Sequence, residues 1–590
     1  MSKYIPIVVT ILILANIIVS VAMWGQLSYW SLQNYRSPVR AITLPPQPAA
    51  PAQTSKLVLV IISGLGNENS FDLDMPVFNQ LRQAGASIIT QGTFPSYAQT
   101  AWATLVTGAS PELNDAPPLD KRFDTLNPLQ VDTLFSRAKA QGLNTALFGS
   151  HAWQTLIPAN QLDYSFFAAE TDPVSDEVIV EAALPSVENR DSQFVLIQLN
   201  GLKLAAETQG GPVTAAYTQT AQQIDSYLGQ INQALDLSRS VLVVTSDHGY
   251  LADGGFGGNE IEIIEQPLLL MGQNIVPGEY SQAQQIDIAP TIAVLLGLAP
   301  PTATQGRILF ELLRLNDHDR ALVQLRLAQQ QANLAQAYQS LLAAEYLPLP
   351  PHLTEDLVRA QTIYDNQNMG GTFELASLTQ NQSHELMRAA RHEFIQSQQA
   401  WRLLFVTIIG LIWAFIMWRG RGPYFTVIIV AAIMTVALYH ALYQLQGYSY
   451  SLSSFPDLTI LPLSIARRTA VSMLLGGGLI LLVLLISNEG HWVMLLNVGY
   501  SFSLLVTFLF TLPLFWAFWQ NGLTSEWYLP EPLPAFWQIT GLIEVAVAAA
   551  LGLFLPWPIM ILNGFIGLFR RRLIEAEPPT KSPTINGLRW

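Results

Sequence analysis

Between Lys56 and about residue 300, short apolar runs alternate with amphipathic stretches. Leu57–Ile62 is apolar and ends at Ser63-Gly64; Thr145–Gly149, Phe194–Leu199, Val241–Thr245 and Gln266–Met271 repeat the pattern. Runs apolar at consecutive positions read as strands buried on both faces. Between them, Met75–Ala84 (stopped by Gly85), Val131–Gln141 and Thr214–Ala234 carry apolar residues at helical spacing, and Asp287–Leu296 opens with an Asp suited to cap a helix. This alternation predicts one α/β domain, residues 56–312, with a mixed, mostly parallel sheet between helices.

The flanks follow other patterns. Ile5–Trp24 is almost uninterruptedly apolar, about one bilayer crossing. Its length and the lack of a small-x-small site predict an uncleaved anchor over residues 1–25 rather than a signal peptide. Residues 26–55, with Leu44-Pro45-Pro46-Gln47-Pro48, have the composition of a tether that packs no core. Residues 313–400 lose the strands: Leu322, Leu325, Leu334, Leu341 and Leu342, then a second segment Phe373–Trp401, predict a helical stalk whose helices pack on the domain or on each other.

A transmembrane bundle is predicted over 401–569, with spans at 402–418, 423–443, 469–487, 492–519 and 536–555, the last reaching toward Phe569 through Pro556-Trp557-Pro558. A basic, then polar, tail covers 570–590. Arg419 and Arg421 after the first of these spans, and Arg570, Arg571 and Arg572 after the last, place those ends and the C-terminus in the cytoplasm and the α/β domain outside the cell membrane. Arg467 and Arg468 fall on the outer side in this scheme and run against it. Glu544 falls inside a span with no partner evident in the sequence. An acid there either has a function or reaches the interface.

Composition agrees with a membrane class: half of the 590 residues are hydrophobic and 12% are charged. The chain has no Cys, which excludes disulfides, thiolate zinc sites and cysteine nucleophiles. The net charge is −14, and 27 acidic against 11 basic side chains between Lys56 and Arg314 argue against nucleic-acid binding. The partners this leaves are the lipid bilayer and a membrane or envelope protein.

The candidate chemistry centres on Val241-Leu242-Val243-Val244-Thr245-Ser246-Asp247-His248-Gly249, a buried strand that delivers two potential metal ligands at its carboxyl end. Four stretches, KLVLVIISGLG (56–66), FPSYAQTAWATLVTGASPE (94–112), VLVVTSDHGYLADGGFGG (241–258) and QPLLLMG with IDIAPTIAVLLGLAPP (266–301), together resemble the alkaline phosphatase superfamily in its nucleotide pyrophosphatase/phosphodiesterase-like, sulfatase-like branch. The resemblance implies an alkaline-phosphatase-like fold with two zinc-type ions over the strand ends and a Ser or Thr nucleophile that attacks phosphorus. Ions about 4 Å apart would hold the attacking and leaving oxygens, and carboxylates and neutral imidazoles would hold the ions.

Residue by residue, the family's site is mostly missing. The Asp that ends the family's first strand is Ser63, and its nucleophile position is Ala98. Its Asp-x-x-x-His pair falls on Lys203 and Glu207, and the His of its Gly-Gly-His-Gly-Gly is Phe256. Asp247 and His248 remain as vestigial metal ligands. The stretch from Lys56 to Arg314 has only His151 and His248 as imidazoles, where such a centre wants about three. Ser63, Ser96 and Thr100 could place a hydroxyl near the site without a base beside them in sequence. Asn67, Glu68, Asp72 and Asp74 read as a solvated turn, and Gly254, Gly255, Gly257 and Gly258 as turn formers.

The leading reading is a membrane-anchored pseudoenzyme with no catalytic residue and no cofactor, its phosphodiesterase-like domain a binding or scaffold module. The alternative is an active metal-dependent phosphoric-ester hydrolase or phosphoethanolamine-type transferase using zinc-type ions on lipid or glycan head groups. The layout of anchor, phosphatase-like domain and multi-span bundle resembles that of GPI ethanolamine phosphate transferases, an analogy of fold. The alternative would gain if Asp247 and His248 converged with Glu207, Asp253 and His151 into a mononuclear cage. A third reading, a transporter, has Glu544 and the span breaks behind it.

Overall fold

The chain is described from a computed structural model that covers residues 4–575 apart from 43, 45, 46, 173, 190, 420, 456–458 and 488–490, with side chains described up to residue 568. The expected tail 576–590 and the side chains of Arg570, Arg571 and Arg572 therefore lie outside the described residues, as do Pro45 and Pro46.

The sheet has nine strands: β1 Lys56–Ile62, β2 Ala86–Gln91, β3 Thr145–Ser150, β4 Tyr164–Ala168, β5 Phe194–Leu199, β6 Ser240–Thr245, β7 Glu265–Gly272, β8 Gly278–Glu279 and β9 Ala283–Gln284. Their order is β4-β3-β5-β1-β6-β7-β2-β8, with β9 also paired to β2. β4, β3, β5, β1 and β6 are mutually parallel, and β7 runs against both β6 and β2. The domain is thus the mixed, mostly parallel α/β fold expected from the alternation of runs.

The pleat divides the core in two. Leu57, Leu59 and Ile61 of β1 face a layer that includes Trp102, Leu105, Phe135, Trp153 and Ile292; Val58, Val60 and Ile62 face Phe78, Leu81, Leu202, Tyr217, Ile224 and Leu228. β1, β3, β5 and β6 are buried at every position, which explains why their apolar residues fall at consecutive rather than alternate positions. β2 alternates buried and half-buried residues, and β4 is an edge strand with exposed Tyr164, Ser165 and Phe166. Neither carries the continuous apolar run by which the others were read.

The parallel strands bring four loops to one edge. β1 ends at Ser63, β3 at Ser150, β5 at Asn200 and β6 at Ser246, with Lys203 N donating to Ser63 O across 3.0 Å. Asp287 caps differently from the expectation. It makes no cap bond to its own helix, Ile288–Leu296; Oδ2 accepts from Gln284 N at 3.0 Å and Oδ1 from Arg307 N at 2.8 Å.

Among the described residues, six helices are long and apolar enough to cross a membrane: Ile5–Gln33, Met369–Arg419, Phe425–Leu445, Leu461–Ile486, Trp492–Asn521 and Pro532–Leu568, the last divided at Leu555. The protein is a multi-pass membrane protein. Three sequence expectations need correction. The stalk region holds three helices, Asp317–Ala343, Pro351–Asp365 and Met369–Arg419, and the last, 51 residues long, runs without a break into the first bundle span. The third bundle span begins at Leu461 rather than 469, so Arg467 and Arg468 lie within a helix and not in a loop. The segment read as a coreless tether is anchored: Tyr35 and Val39 are buried, Ser37 N donates to Asp115 Oδ1 at 2.9 Å, and Arg36 Nε donates to the same oxygen at 2.9 Å.

The first helix is a member of the bundle. Trp24 meets Phe518 edge-on at 5.7 Å, and Gln538 Nε2 donates to Ser28 Oγ at 2.9 Å. Bundle and α/β domain touch where the loop before Leu461 meets Gly254–Gly258. Ser453 Oγ donates to Glu260 Oε1 at 2.6 Å, and a Cβ on Gly255 would sit 1.7 Å from Ser453 O. Only glycine fits this approach. Gly255→Ala is expected to push the two surfaces apart: limited proteolysis followed by mass spectrometry should show severalfold faster cleavage between residues 447 and 455. Unchanged cleavage would contradict the contact.

Candidate active site

The site begins with Asp247, which β6 delivers to the carboxyl edge of the sheet, 1% exposed. Its Oδ1 accepts from Gly64 N at 3.0 Å, from His248 N at 2.8 Å and from His248 Nδ1 at 2.6 Å; its Oδ2 accepts from Trp102 Nε1 at 2.7 Å. Gly64 is required by the fold here. Its φ is +91°, and a Cβ would lie 2.8 Å from the Tyr250 ring. Burial alone would raise the Asp247 carboxyl, but the His248 imidazole and these donors outweigh it and hold the group below the ordinary range.

His248 is fully buried beside it. Its ring centre lies 5.0 Å from that of Tyr250 and 5.2 Å from that of Phe256, and its Nε2 has no hydrogen-bond partner among the described residues. Phe256 also meets Tyr97 at 5.4 Å. The ring at the family's histidine position therefore completes an aromatic wall around the remaining imidazole.

Lys203 and Glu207 lie one turn apart on the helix Gly201–Gln209. Lys203 Nζ is 3.0 Å from Glu207 Oε1, which also accepts from the Tyr250 hydroxyl at 3.0 Å. Burial works against the ammonium, but Glu207, Asp120 and Glu170 more than compensate and hold it above its ordinary value. Burial pushes the Asp120 carboxyl up, opposed mainly by Lys203. Asp120 Oδ1 accepts from Gln99 N at 3.1 Å, beside the first turn of the helix Ala98–Thr107.

Ala98 is buried where the family carries its nucleophile. Ser96 Oγ donates to Gly258 O at 2.6 Å and Thr100 Oγ1 to Pro117 O at 2.6 Å, so both hydroxyl protons are committed to carbonyls. Ser63 Oγ accepts from Gln198 Nε2 at 2.9 Å. His151 stacks against Phe123 at 5.4 Å on another helix, and Asp253 is exposed. The cage of Asp247, His248, Glu207, Asp253 and His151 is not formed: among the described residues no three metal-ligating side chains come together.

The donors present do not fit two zinc-type ions. Both oxygens of Asp247 are held by internal donors, the Lys203 ammonium is in an ion pair with Glu207, and a phenyl ring lies 5.2 Å from the ring of His248. Three participants escaped sequence reading. Trp102, Asp120 and Gln285, whose Nε2 donates to Asp247 O at 2.9 Å, stand far from Asp247 in the chain. Trp102 lies in the FPSYAQTAWATLVTGASPE stretch, but nothing there marks its indole as a donor.

No family model matches the chain. It is similar to the catalytic subunit of human GPI ethanolamine phosphate transferase 2, 28% identical over 284 residues that cover 44% of this chain and 28% of that protein. It is also similar to GPI ethanolamine phosphate transferase 2 of Aspergillus oryzae, 27% over 270 residues, 40% and 32%, and to the catalytic subunit of human GPI ethanolamine phosphate transferase 3, 24% over 227 residues, 37% and 20%. The chain spans about a third or less of the length of the curated relatives it matches. Among solved structures, murine ectonucleotide pyrophosphatase/phosphodiesterase 5 covers 42% of this chain and 96% of its own at 13% identity and a TM-score of 0.35. A Vibrio parahaemolyticus protein of the alkaline phosphatase superfamily covers 50% and 80% at 19% identity and a TM-score of 0.35. The curated relatives to which the chain is similar are thus GPI ethanolamine phosphate transferases, matched over less than half of its length.

Two outcomes follow for Asp247. Trp102→Phe removes the donor to a buried carboxylate oxygen and is expected to cost about 1–3 kcal/mol in denaturant unfolding; no loss would contradict the bond's role. A carboxyl depressed by folding stabilises above the unfolded value, about 4, and that share drains away as the pH falls through the folded value. The stability gap between wild type and Asp247→Asn should therefore be full at neutral pH and narrow on acidification; a constant gap would contradict it.

Proposed function

We propose that this protein acts, as its relatives' names suggest, on a phosphate-bearing lipid or glycan head group, and that its α/β domain binds that group without two-ion displacement chemistry. The domain is then a recognition or scaffold module on the outer face of the cell membrane, with the bilayer as its immediate partner. The observation that carries the reading is the Lys203–Glu207 ion pair, 3.0 Å long, at the edge of the sheet where the family's ions would bind. The ammonium is already met by Glu207, and an ion pair cannot polarise a leaving oxygen as a dication does. The contact between Ser453 and the Gly254–Gly258 loop supports a ligand drawn from the membrane, because it turns this side of the site toward the bundle.

The relatives favour a second reading, an active phosphoethanolamine-type transferase with a rebuilt centre. The buried Asp247–His248 pair, with an unpartnered Nε2, is what such a centre would have to use.

Purified full-length protein, supplied with zinc or manganese, should show no turnover of a chromogenic phosphodiester and no transfer of phosphoethanolamine from a lipid donor above the level of Asp247→Ala. Turnover that accompanies stoichiometric metal and disappears in Asp247→Ala would overturn the first reading and establish the second. Turnover that survives Asp247→Ala would remove both.

A further inference from the structure

Among the described residues of the bundle, three charged side chains are buried: Arg402, bonded to Gln520 O and the Tyr528 hydroxyl, and Arg468 and Glu544, at 3% and 2% exposure. Such groups are costly inside a membrane and need partners. Glu544 has one, contrary to the sequence expectation: the Tyr439 hydroxyl donates to its Oε1 at 2.6 Å. Arg468 is half-partnered. Its Nη1 donates to Gln446 Oε1 at 2.8 Å and to Ser464 Oγ at 2.9 Å, while Nε and Nη2 are buried with no partner among the described residues.

Four rings surround the guanidinium, those of Tyr443 at 4.8 Å, Tyr448 at 5.5 Å, Tyr439 at 5.8 Å and Phe455 at 6.0 Å. Rings attract the charge of a guanidinium but accept poorly from N–H groups in its plane. Nε and Nη2 form one edge of the guanidinium fork, the geometry that takes two oxygens of a phosphate or carboxylate side by side. Glu544 does not fill that edge, since its own bond goes to Tyr439 and its Oε2 is also unpartnered.

The depth of Arg468 selects the ligand. It stands near the start of the helix Leu461–Ile486. The rest of that helix rises about 27 Å at 1.5 Å per residue, close to the hydrocarbon thickness of about 30 Å. Arg468 is therefore at head-group level. Ile460, Leu463, Leu474 and Leu475 are exposed around it, as lipid-facing residues are, while Gln446, its partner, is exposed at the end of the neighbouring span. Tyr448, Tyr450 and Trp537 form an aromatic cluster at the same end, as at a membrane interface.

We propose that the Nε/Nη2 edge of Arg468 binds one phosphodiester group of a bilayer lipid. Gln446 and Ser464 orient the guanidinium, the rings exclude water from it, and Glu544 balances its charge through Tyr439. This site is separate from the edge of the α/β sheet and stands whether or not that edge has catalytic activity. It also explains why two arginines on the presumed outer side run against the usual distribution of basic residues: Arg468 is a ligand-binding group, and only Arg467 is exposed.

The test is lipid retention by the full-length protein in detergent, read by native mass spectrometry and organic phosphorus. Wild type should keep one phospholipid per chain through washing. Arg468→Gln should reduce retention about tenfold, in keeping with loss of a charge-assisted pair, Arg468→Lys should fall too because it lacks the fork, and Arg467→Gln should match wild type. No retained lipid in wild type, or equal retention in Arg468→Gln, would overturn the proposal. Should Arg468→Gln fail to fold, a phospholipid with a photoreactive head group on wild type decides: cross-links should map between residues 439 and 468, and cross-links spread evenly over all spans would overturn it. Excess inorganic phosphate should not displace the lipid; displacement would assign the edge to free phosphate and overturn the lipid site.

Discussion

A carboxylate that is buried must be met by donors, and Asp247 is met from three directions. The end of β1 contributes Gly64 N, the helix Ala98–Thr107 contributes Trp102 Nε1, and the following residue contributes its own backbone and imidazole N–H groups. The charge is thereby satisfied inside the protein, and the same bonds hold together the first strand, the first long helix and the central loop. Removal of one donor would leave an unpaired charge in a place with no water to replace it. A residue type suited to metal binding has become the tie that fixes the edge of the sheet.

The neighbouring positions follow the same electrostatic logic. With an ammonium at 203, Glu207 has a cation 3.0 Å away and needs no ion from solution. With a phenyl ring at 256, the space beside His248 is filled by Tyr97, Tyr250 and Phe256 packed on one another. Each of these side chains is satisfied by its neighbours. That is why the site reads as rebuilt around internal partners rather than as a metal centre with one ligand missing. The joint to the membrane depends on the same loop: Gly255 and Gly258 permit Ser451 and Ser453 to approach a segment whose next side chain, Phe256, packs on His248.

Much of this was legible in the chain. β1, β5, β6 and β7 carry apolar residues at consecutive positions because both their faces are covered, and they were found within a residue or so at each end. β4, exposed at the edge, and β2, alternating and half-buried, lack that signal and were missed. Ser63, Ala98, Lys203 and Phe256 could be singled out through the resemblance, and the structure brings the ring of Phe256 to 5.2 Å from that of His248. Trp102, Asp120 and Gln285 could not, since a hydrogen bond between residues far apart in sequence leaves no periodic trace. The same limit hid the partner of Glu544. Tyr439 is one aromatic among many in its helix, and only the packing of three spans shows its hydroxyl reaching the acid. The segment around Tyr35 looked like a tether because its composition is polar and Pro-rich, yet a single buried tyrosine and one buried aspartate suffice to dock it.

The account rests on Asp247 and His248 being satisfied by the protein itself. The most direct measurement is an anomalous difference map at the zinc absorption edge, from crystals of the full-length protein equilibrated with zinc. The account expects no peak within bonding distance of Asp247 Oδ1 and Oδ2 or of His248 Nε2, with Trp102 Nε1 still on Asp247. A strong peak there, with the indole displaced and oxygen or nitrogen donors gathered around it, would contradict it.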